Sequence, residues 1–453
     1  MTNCIRYSPR ASLVMTGMCV QQMAVWEMIG NRVTIQQKVI LYTPLEKLMD
    51  AFINIMAGGH GLNETNTRVR TDQALSAAFG RTGCAEQSTI SDTLNACTGG
   101  NVNQMRDALR EVYRLYGAGY RHHYGKEWQL LDVDMTGMPA GRQGEGVEKG
   151  YFAKQKNCRG RQLGRVVATC YDEIVTERLY SGKIQLNRSL HQLIEDAESV
   201  LDLNPGFRRR TILRVDGGGG SDKDINWMLS RHYHILVKVR NWRRAERLCR
   251  SVTAWHPDPK ISNREVGWVE QPHKYDQPTR QLAIRTRKQN GKWRYHVLVF
   301  NLTDEMLFWL SDYPQSQTTT ATVALLAALY AYDRRSGAAE TTIKGSKQGL
   351  GLTKRNKKRF EAQEMLVLLA QLAYNLISWT RNGLAAQLSS LARWGMLRMV
   401  RDGFHIAGRI EFDPNGHIRQ VTLNQAHNLA EIFIKALSPF LARDGTSVIL
   451  GQI

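Results

Sequence analysis

The sequence QLLDVD at residues 129–134 decides the fold, because a pattern of strands begins there. Its apolar run ends at Asp134, and a second apolar run, RTILRVD at residues 210–216, ends at Asp216. Short apolar runs bounded by turn residues are typical of buried strands. The same patterns predict further strands at residues 164–170, 173–180 and 233–240, and helices at residues 189–201 and 224–231. This alternation predicts a mixed α/β sheet over residues 126–240.

Residues 1–125 are predicted to form a helical region. Thr43 is a typical N-cap, and Pro44 occupies the first position of a helix that reaches Met56. Further helices are predicted at residues 72–79, from residue 88 onward, and at residues 103–116. Short helices with Ser or Thr caps and basic neighbours are typical of a helix-turn-helix-like DNA-binding region, and equally of any small helical bundle. Residues 1–40 fit neither pattern, and we interpret them as a poorly ordered extension or the product of an upstream start site.

The composition changes after residue 240. Residues 241–315 are rich in charge and tryptophan, and alternation at residues 279–286 and 292–301 predicts the antiparallel strands of a β-rich insertion. Residues 316–390 return to a helical pattern, and residues 391–453 contain a hairpin whose turn is DPNG. The helices predicted in these last two regions lie at residues 318–333, 363–380 and 426–442.

The charge of the chain indicates a polyanionic partner. Its 453 residues include 61 Lys and Arg against 41 Asp and Glu, a formal charge of +20. Nucleic acid is the commonest polyanion that such a surface binds. Membrane binding is the rival explanation, but no run of about 18 apolar residues exists. The longest apolar segment, residues 365–379, is interrupted by Gln371 and Asn375, which predicts a buried core helix.

The seven cysteines indicate a reducing compartment. Their number is odd and no two form a CxxC pair, which argues against a disulfide framework and a cysteine zinc site. The start of the sequence lacks the continuous apolar segment that is typical of a signal peptide. We therefore expect a cytoplasmic protein.

Asp134 and Asp216 are candidate metal ligands, since each ends an apolar strand. Carboxylates at strand ends in an open α/β sheet point into the crevice where ligands bind. Two neighbouring carboxylates repel each other unless a cation lies between them, and Mg²⁺ prefers oxygen ligands. The alternative is that strand-end aspartates are helix N-caps or turn formers. Asp132 rivals Asp134, because both lie on the same strand face.

A third candidate carboxylate lies in the sequence YAYDRRSGAAETTIKGSKQGLGL at residues 330–352. Glu340, Lys344 and Lys347 are spaced i, i+4 and i+7, so one helix face carries all three. Such a carboxylate can bind metal while the lysines bind DNA phosphates. The alternative is an exposed helix with an ordinary Glu340–Lys344 ion pair, worth about 0.3–0.5 kcal/mol.

Tyr332, Arg335, Glu340 and Lys347 resemble the Tyr-Arg-Glu-Lys motif of bacterial insertion-sequence transposases of the DDE class. In that family two residues separate Tyr from Arg, three separate Arg from Glu, and six separate Glu from Lys. This sequence has the first and last spacings but four residues between Arg335 and Glu340. Arg334 is therefore an alternative to Arg335. The strands that end at Asp134 and Asp216 resemble the two aspartate motifs of the same family.

The resemblance implies an RNase H-like α/β catalytic core, a β-rich insertion and a helical N-terminal DNA-binding region. It implies that Asp134, Asp216 and Glu340 are catalytic and hold two Mg²⁺ ions, with Mn²⁺ as a substitute. Tyr332, Arg335, Lys344 and Lys347 are the expected DNA contacts.

In the family a tryptophan of the insertion stacks on a flipped base, and Trp293 is the candidate here. The implied function is cut-and-paste transposition, in which the two terminal inverted repeats of an insertion sequence are joined to target DNA. The resemblance also implies a homodimer that bridges the two repeats, located in a bacterial nucleoid. A catalytically inactive DNA-binding relative and another RNase H-like nuclease are the alternatives.

Overall fold

The computed structural model describes residues 4–153, 155–313 and 321–453. The chain divides into two compact units. The first comprises Met1–Gly117, Met138–Val147 and Thr342–Ile453, and the second comprises Ala118–Gly137 and Glu148–Thr341. The domain boundaries expected from the sequence follow chain order, whereas each unit is assembled from separated segments.

The strands in chain order are β1 (Cys4–Ser8), β2 (Gln129–Pro139), β3 (Glu148–Lys149), β4 (Arg159–Ala168), β5 (Glu173–Ser181), β6 (Thr211–Val215), β7 (His234–Lys238), β8 (His256–Asp258), β9 (Ile261–Trp268), β10 (Arg280–Arg287), β11 (Trp293–Phe300), β12 (Gly408–Phe412), β13 (Ile418–Asn424) and β14 (Ser447–Gly451).

The helices in chain order are α1 (Ala11–Gln22), α2 (Val25–Gly30), α3 (Pro44–Met56), α4 (Thr65–Arg68), α5 (Gln73–Ala78), α6 (Gln87–Ala96), α7 (Gly99–Tyr116), α8 (Leu186–Leu201), α9 (Pro205–Arg208), α10 (Asp222–Ser230), α11 (Trp242–Cys249), α12 (Asp304–Ser311), α13 (Ala321–Arg335), α14 (Thr341–Gly349), α15 (Phe360–Gln387), α16 (Met396–Arg398) and α17 (Ala430–Leu441). The predicted helix at residues 318–333 begins outside the described residues.

The second unit is built on one large mixed sheet. Its strand order is β3-β4-β2-β6-β7-β11-β10-β9-β8, with β5 paired to β4. Strands β2, β6 and β7 are parallel, and β4 and β5 are antiparallel. The order β5-β4-β2-β6-β7, with β2 in the centre, is an RNase H-like core. The prediction of an RNase H-like mixed α/β fold is confirmed.

The residues predicted as a β-rich insertion extend the same sheet. β11 pairs antiparallel with β7, and β10, β9 and β8 continue outward from it. Two helices, α11 and α12, accompany these strands. Buried side chains from β2, β6, β7, β10 and β11 pack with those of α12 and α13 in one apolar cluster. The core of the second unit therefore fixes β2 and β6, the strands that position Asp134 and Asp216.

The first unit combines helices with a four-stranded sheet in the order β1-β12-β13-β14. Its long helix α15 is buried over most of its length, as predicted for a core helix. The expectation that residues 1–40 are poorly ordered is wrong for the described part of that range, because nine of the twelve residues of α1 are buried and β1 pairs with β12. Local sequence cannot reveal that pairing, since the two strands lie about four hundred residues apart.

No helix in the described ranges has both the length and the apolar character that a bilayer crossing needs.

Candidate active site

Strand β2 carries two aspartates, and their partners differ. Asp132 is fully buried and makes two hydrogen bonds of 2.6 and 2.7 Å with Arg214, its direct neighbour on β6. The hydroxyl of Thr169 donates a third hydrogen bond of 2.6 Å to Asp132. Its oxygens are therefore saturated by the protein, which leaves Asp134, next to Asp216, as the aspartate of β2 that can bind a metal.

Asp134 and Asp216 lie side by side where the parallel pairing of β2 with β6 ends. Asp216 directly follows β6, whereas β2 continues past Asp134 to Pro139, so the prediction that this strand ends at Asp134 is wrong. The parallel register pairs Val133 with Val215, so the next residues along both strands are these two aspartates. Burial raises the pKa of Asp134, and the negative charge of Asp216 raises it further, whereas Arg335 opposes both effects. Repulsion of this kind is what a bound cation relieves.

Asp216 also ends β6 by capping the turn that follows. Its Oδ1 accepts a hydrogen bond of 2.7 Å from the Gly218 N–H, so the N-cap role considered from the sequence is present. Glycine is required at position 220 for a steric reason, because a Cβ there would lie 1.9 Å from the Lys238 carbonyl oxygen. The glycine run therefore lets the chain pass close to β7.

Arg335 links the carboxylates. Its guanidinium Nη2 lies 2.8 Å from Asp134 Oδ1, and its Nη1 lies 3.9 Å from Glu340 Oε1. The side chain is buried, and Nη2 also donates to the Val133 carbonyl oxygen at 3.4 Å. The pKa of Arg335 is raised by the nearby carboxylates, chiefly Asp134 and then Asp216, although burial works in the opposite direction. One positive group therefore sits among the three predicted catalytic carboxylates.

The extra residue between Arg335 and Glu340 has a structural explanation. Residues Ser336–Glu340 form a π-helical turn between α13 and α14. A π turn closes over five residues where an α turn closes over four, and it is commonly found at functional sites. The inserted residue is absorbed in this turn, and Glu340 remains within 3.9 Å of Arg335. Arg334 is exposed and forms an ion pair with Asp312 instead, so the geometry favours Arg335 as the motif arginine.

Tyr332 lies near the same charges. Burial raises its pKa, and Arg335, Asp216 and Asp134 are close enough to shift it as well. Glu340 is well exposed, with 62% of its side chain accessible. The site therefore has a buried side at Asp134 and an open side at Glu340.

Lys238 is a site residue that the sequence analysis missed. It ends β7 beside the Asp216 strand, and burial lowers its pKa while Asp216 raises it. A Cβ on Gly217 would meet its side chain at 3.8 Å. The sequence signal that could have identified Lys238 is its position directly after the apolar run at residues 233–237, at the end of a predicted strand.

The remaining predicted contacts are distributed differently. Lys344 and Lys347 lie on α14, in the part of that helix that belongs to the first unit. Trp293 begins β11, and Arg285 stacks on its ring at 4.6 Å from the centroid and on Trp255 at 4.3 Å. Trp293 therefore packs against a side chain of the neighbouring strand β10.

Three carboxylates around one guanidinium supply the hard oxygen donors that a divalent cation needs. Within the described residues, no three His, Cys, Asp or Glu side chains already converge on a common metal position. The donor chemistry fits a divalent ion, and the present arrangement places Arg335 against Asp134.

The RNase H-like sheet, with adjacent carboxylates on and directly after its two central strands, defines the class as an enzyme of polynucleotidyl transfer. The chain belongs to the family described as Transposase DDE domain group 1, whose model matches residues 31–442. It is thus a DDE DNA transposase, and domains of this family use divalent metal ions.

Two solved structures are similar to this chain. A piggyBac transposase in a synaptic complex with hairpin DNA has 10% identity and a TM-score of 0.46, and the match covers 85% of this chain and 80% of that one. A pre-cleavage Mos1 transpososome has 12% identity and a TM-score of 0.18, and the match covers 45% and 62%. Both TM-scores are low, so the fold rests on the strand order and the family. A search of curated proteins finds no match.

Proposed function

We propose that this transposase binds the terminal inverted repeats of an insertion sequence and moves the element by cut-and-paste cleavage and strand transfer. Asp134, Asp216 and Glu340 are the proposed catalytic metal ligands. The observation that carries the proposal is the position of Arg335, 2.8 Å from Asp134 and 3.9 Å from Glu340, with Asp216 on the adjacent strand end.

Mg²⁺ is the proposed cofactor, with Mn²⁺ as a substitute. Bound ions supply Lewis-acid activation of the attacking oxygen and stabilisation of the leaving oxygen. Side chains of the protein bind and position the DNA. With ions held by Asp134, Asp216 and Glu340, Arg335 would be released from Asp134, and its guanidinium would bind a phosphate of the transposon end. Guanidinium is suited to this exchange, because its fork of donors matches carboxylate and phosphate equally well.

The other cations and the tyrosine position DNA. Tyr332, Lys344 and Lys347 keep their predicted roles as contacts to the transposon-end phosphates, and Lys238 is added to them. Such contacts contribute geometry and charge, with no covalent step. Arg335 Nε has no hydrogen-bond partner among the described residues, which supports a role in binding a further acceptor. The proposed assembly is a homodimer on two DNA ends, associated with the bacterial nucleoid.

The test uses a plasmid that carries both ends of the element, identified by the inverted repeats that flank the gene. We expect the wild-type protein to cleave the ends and join them to target DNA in Mg²⁺, whereas Asp216→Asn loses both activities by a factor on the order of 10⁴. Asp312→Asn is the matched control, because Asp312 is an exposed carboxylate that pairs with Arg334 and lies outside the triad.

The same assay separates the alternatives. Cleavage without joining would favour another RNase H-like nuclease. Binding of the ends without metal-dependent cleavage by the wild-type protein would favour an inactive relative. Cleavage by Asp216→Asn at the wild-type rate would show that the ligand assignment is wrong.

A further inference from the structure

A basic cleft lies in the first unit, on segments of the chain that carry none of the residues assigned above. Two adjoining cavities of about 330 and 420 Å³ share Trp394, Arg398, Asn428 and Leu429 in their walls. Arg401 lines one of them and Arg393 the other. We call this feature the C-terminal cleft.

The C-terminal cleft is displayed on a packed scaffold. Between α15 and β12, Leu391, Met396, Met399 and Val400 are buried and anchor the chain. Arg393, Arg398 and Arg401 alternate with these anchors and are exposed. Their positions are therefore set by core packing, and their charged groups face solvent.

The cleft is strongly positive. Asp402 is the one acidic side chain among the described residues that line it, and it accepts hydrogen bonds of 2.7 and 3.0 Å from Arg401. Arg398 lies 3.7 Å from the same carboxylate, whereas Arg393 has no ion-pair partner among the described residues. Three arginines against one aspartate leave a net charge of +2, before any protonation of the histidines His405 and His427.

Further cations surround this wall. The pKa of His405 is lowered first by burial and then by the positive charges of Arg10 and Arg68, so these side chains lie near the cleft. Asp402 contributes the opposing negative charge there. Arg68 is itself paired with Glu64 at 2.6 Å and Arg10 lies near Asp72, so the net positive charge of the cleft comes from the arginines that line it.

One arginine is held in a geometry that suits phosphate. The Arg398 guanidinium stacks on the Trp394 ring at 4.0 Å from its centroid. Stacking fixes the guanidinium plane and leaves its in-plane N–H groups directed outward, which is the geometry that binds phosphate oxygens. The Trp394 backbone is itself held, since Arg381 donates to its carbonyl oxygen at 3.0 Å.

We propose that the C-terminal cleft is an accessory DNA-binding surface that holds the sugar–phosphate backbone of duplex DNA. The contacts are independent of sequence, because arginine–phosphate contacts fix position and carry no base information. The proposal rests on the proposed function only in that this transposase handles DNA. The formal charge of +20 on the chain supports the same class of partner.

The test compares two triple variants that lose the same charge. Arg393→Gln, Arg398→Gln and Arg401→Gln remove the cleft arginines. Lys38→Gln, Arg419→Gln and Lys435→Gln remove three exposed cations elsewhere in the same unit. Binding to a fluorescein-labelled duplex of arbitrary sequence is measured by anisotropy over a series of KCl concentrations without divalent metal. Circular dichroism checks that both variants fold.

Each lost phosphate contact lowers the magnitude of the log–log salt slope by about 0.9. We therefore expect the cleft variant to lower it by about 3 and to bind at least about tenfold more weakly at low salt. The control variant should change the slope by less than about 1. A third variant with lysine at the three cleft positions should keep most of the wild-type slope.

Equal losses in the cleft and control variants would overturn the proposal, as would an unchanged slope in the cleft variant. Calorimetry with inorganic phosphate covers the remaining outcome. Phosphate binding that the cleft variant loses without any change in DNA binding would indicate a small-anion pocket and would also overturn it. The assay contains no divalent metal and measures binding alone, so a failure of the catalytic assignment leaves this result unaffected.

Discussion

Asp132 and Asp134 are two residues apart on one strand, and each is paired with an arginine. The two pairs differ in how completely hydrogen bonds from the protein satisfy the aspartate. Asp132 receives two hydrogen bonds from Arg214 and one from Thr169, and neither Asp132 nor Arg214 is accessible beyond 1%. Asp134 receives one contact from Arg335 and one from the Met135 N–H, and its arginine turns toward the exposed Glu340.

The difference separates a structural pair from a displaceable one. Breaking a saturated buried pair leaves an uncompensated charge in the interior, so Asp132 and Arg214 must stay together. Arg335 has several carboxylates within reach and can exchange one for another at lower cost. The same strand thus provides a fixed support at Asp132 and an adjustable position at Asp134.

The largest expected effect is on stability at the closed pair. Asp132→Asn leaves Arg214 buried without its counter-charge and should lower the free energy of unfolding by about 3–5 kcal/mol. Asp134→Asn should cost at most about 1–2 kcal/mol, because Glu340 and Asp216 remain near Arg335. Urea denaturation of both variants measures the two values. Equal losses for the two variants would contradict the distinction between a closed and an open pair.

The next effect concerns the open pair. Arg335→Gln removes the cation that lies against Asp134, so Mn²⁺ should bind the DNA-free protein about tenfold more tightly, a gain of roughly 1.4 kcal/mol. DNA cleavage should nevertheless fall, because the phosphate contact is lost. Titration calorimetry with Mn²⁺ measures the first change, and the plasmid assay measures the second.

Arg334→Gln is the matched control for this experiment, since Arg334 is the adjacent arginine and pairs with Asp312 on the surface. It should leave Mn²⁺ affinity unchanged. If Arg335→Gln also leaves Mn²⁺ affinity unchanged, Arg335 does not compete with metal at Asp134.

The sequence was sufficient to predict the strand that carries Asp134 and the strand that precedes Asp216, because a buried strand needs a continuous apolar run. The end expected at Asp134 is wrong, because β2 continues to Pro139. Glu340 stays a prediction that rests on the resemblance to the Tyr-Arg-Glu-Lys motif and its spacing to Lys347. The sequence left Asp132 open as a rival, because the decisive fact is the pairing of Asp132 with Arg214 across two strands. The doubt over Arg335 had the same origin, since counting residues cannot reveal a π turn.

Long-range placement explains the other differences. β1 becomes part of a sheet by pairing with β12, and the strands after residue 250 join the core sheet through the pairing of β11 with β7. Neither pairing is written in a local pattern. Lys238 was missed because a lysine at a strand end has no chemical role until the neighbouring strand is known to end in Asp216.

The smallest expected effect tests that last residue. Lys238→Met keeps the aliphatic bulk but removes the charge beside Asp216, which should cost about 1 kcal/mol of transition-state stabilisation, or about fivefold in cleavage rate. Arg240→Gln, an exposed cation two residues further along, is the matched control and should cleave at the wild-type rate. A change in kcat with KM for DNA unaltered would place Lys238 at the reacting phosphate. A change in KM alone would make Lys238 a general contact to DNA and would exclude a role for it at the reacting phosphate.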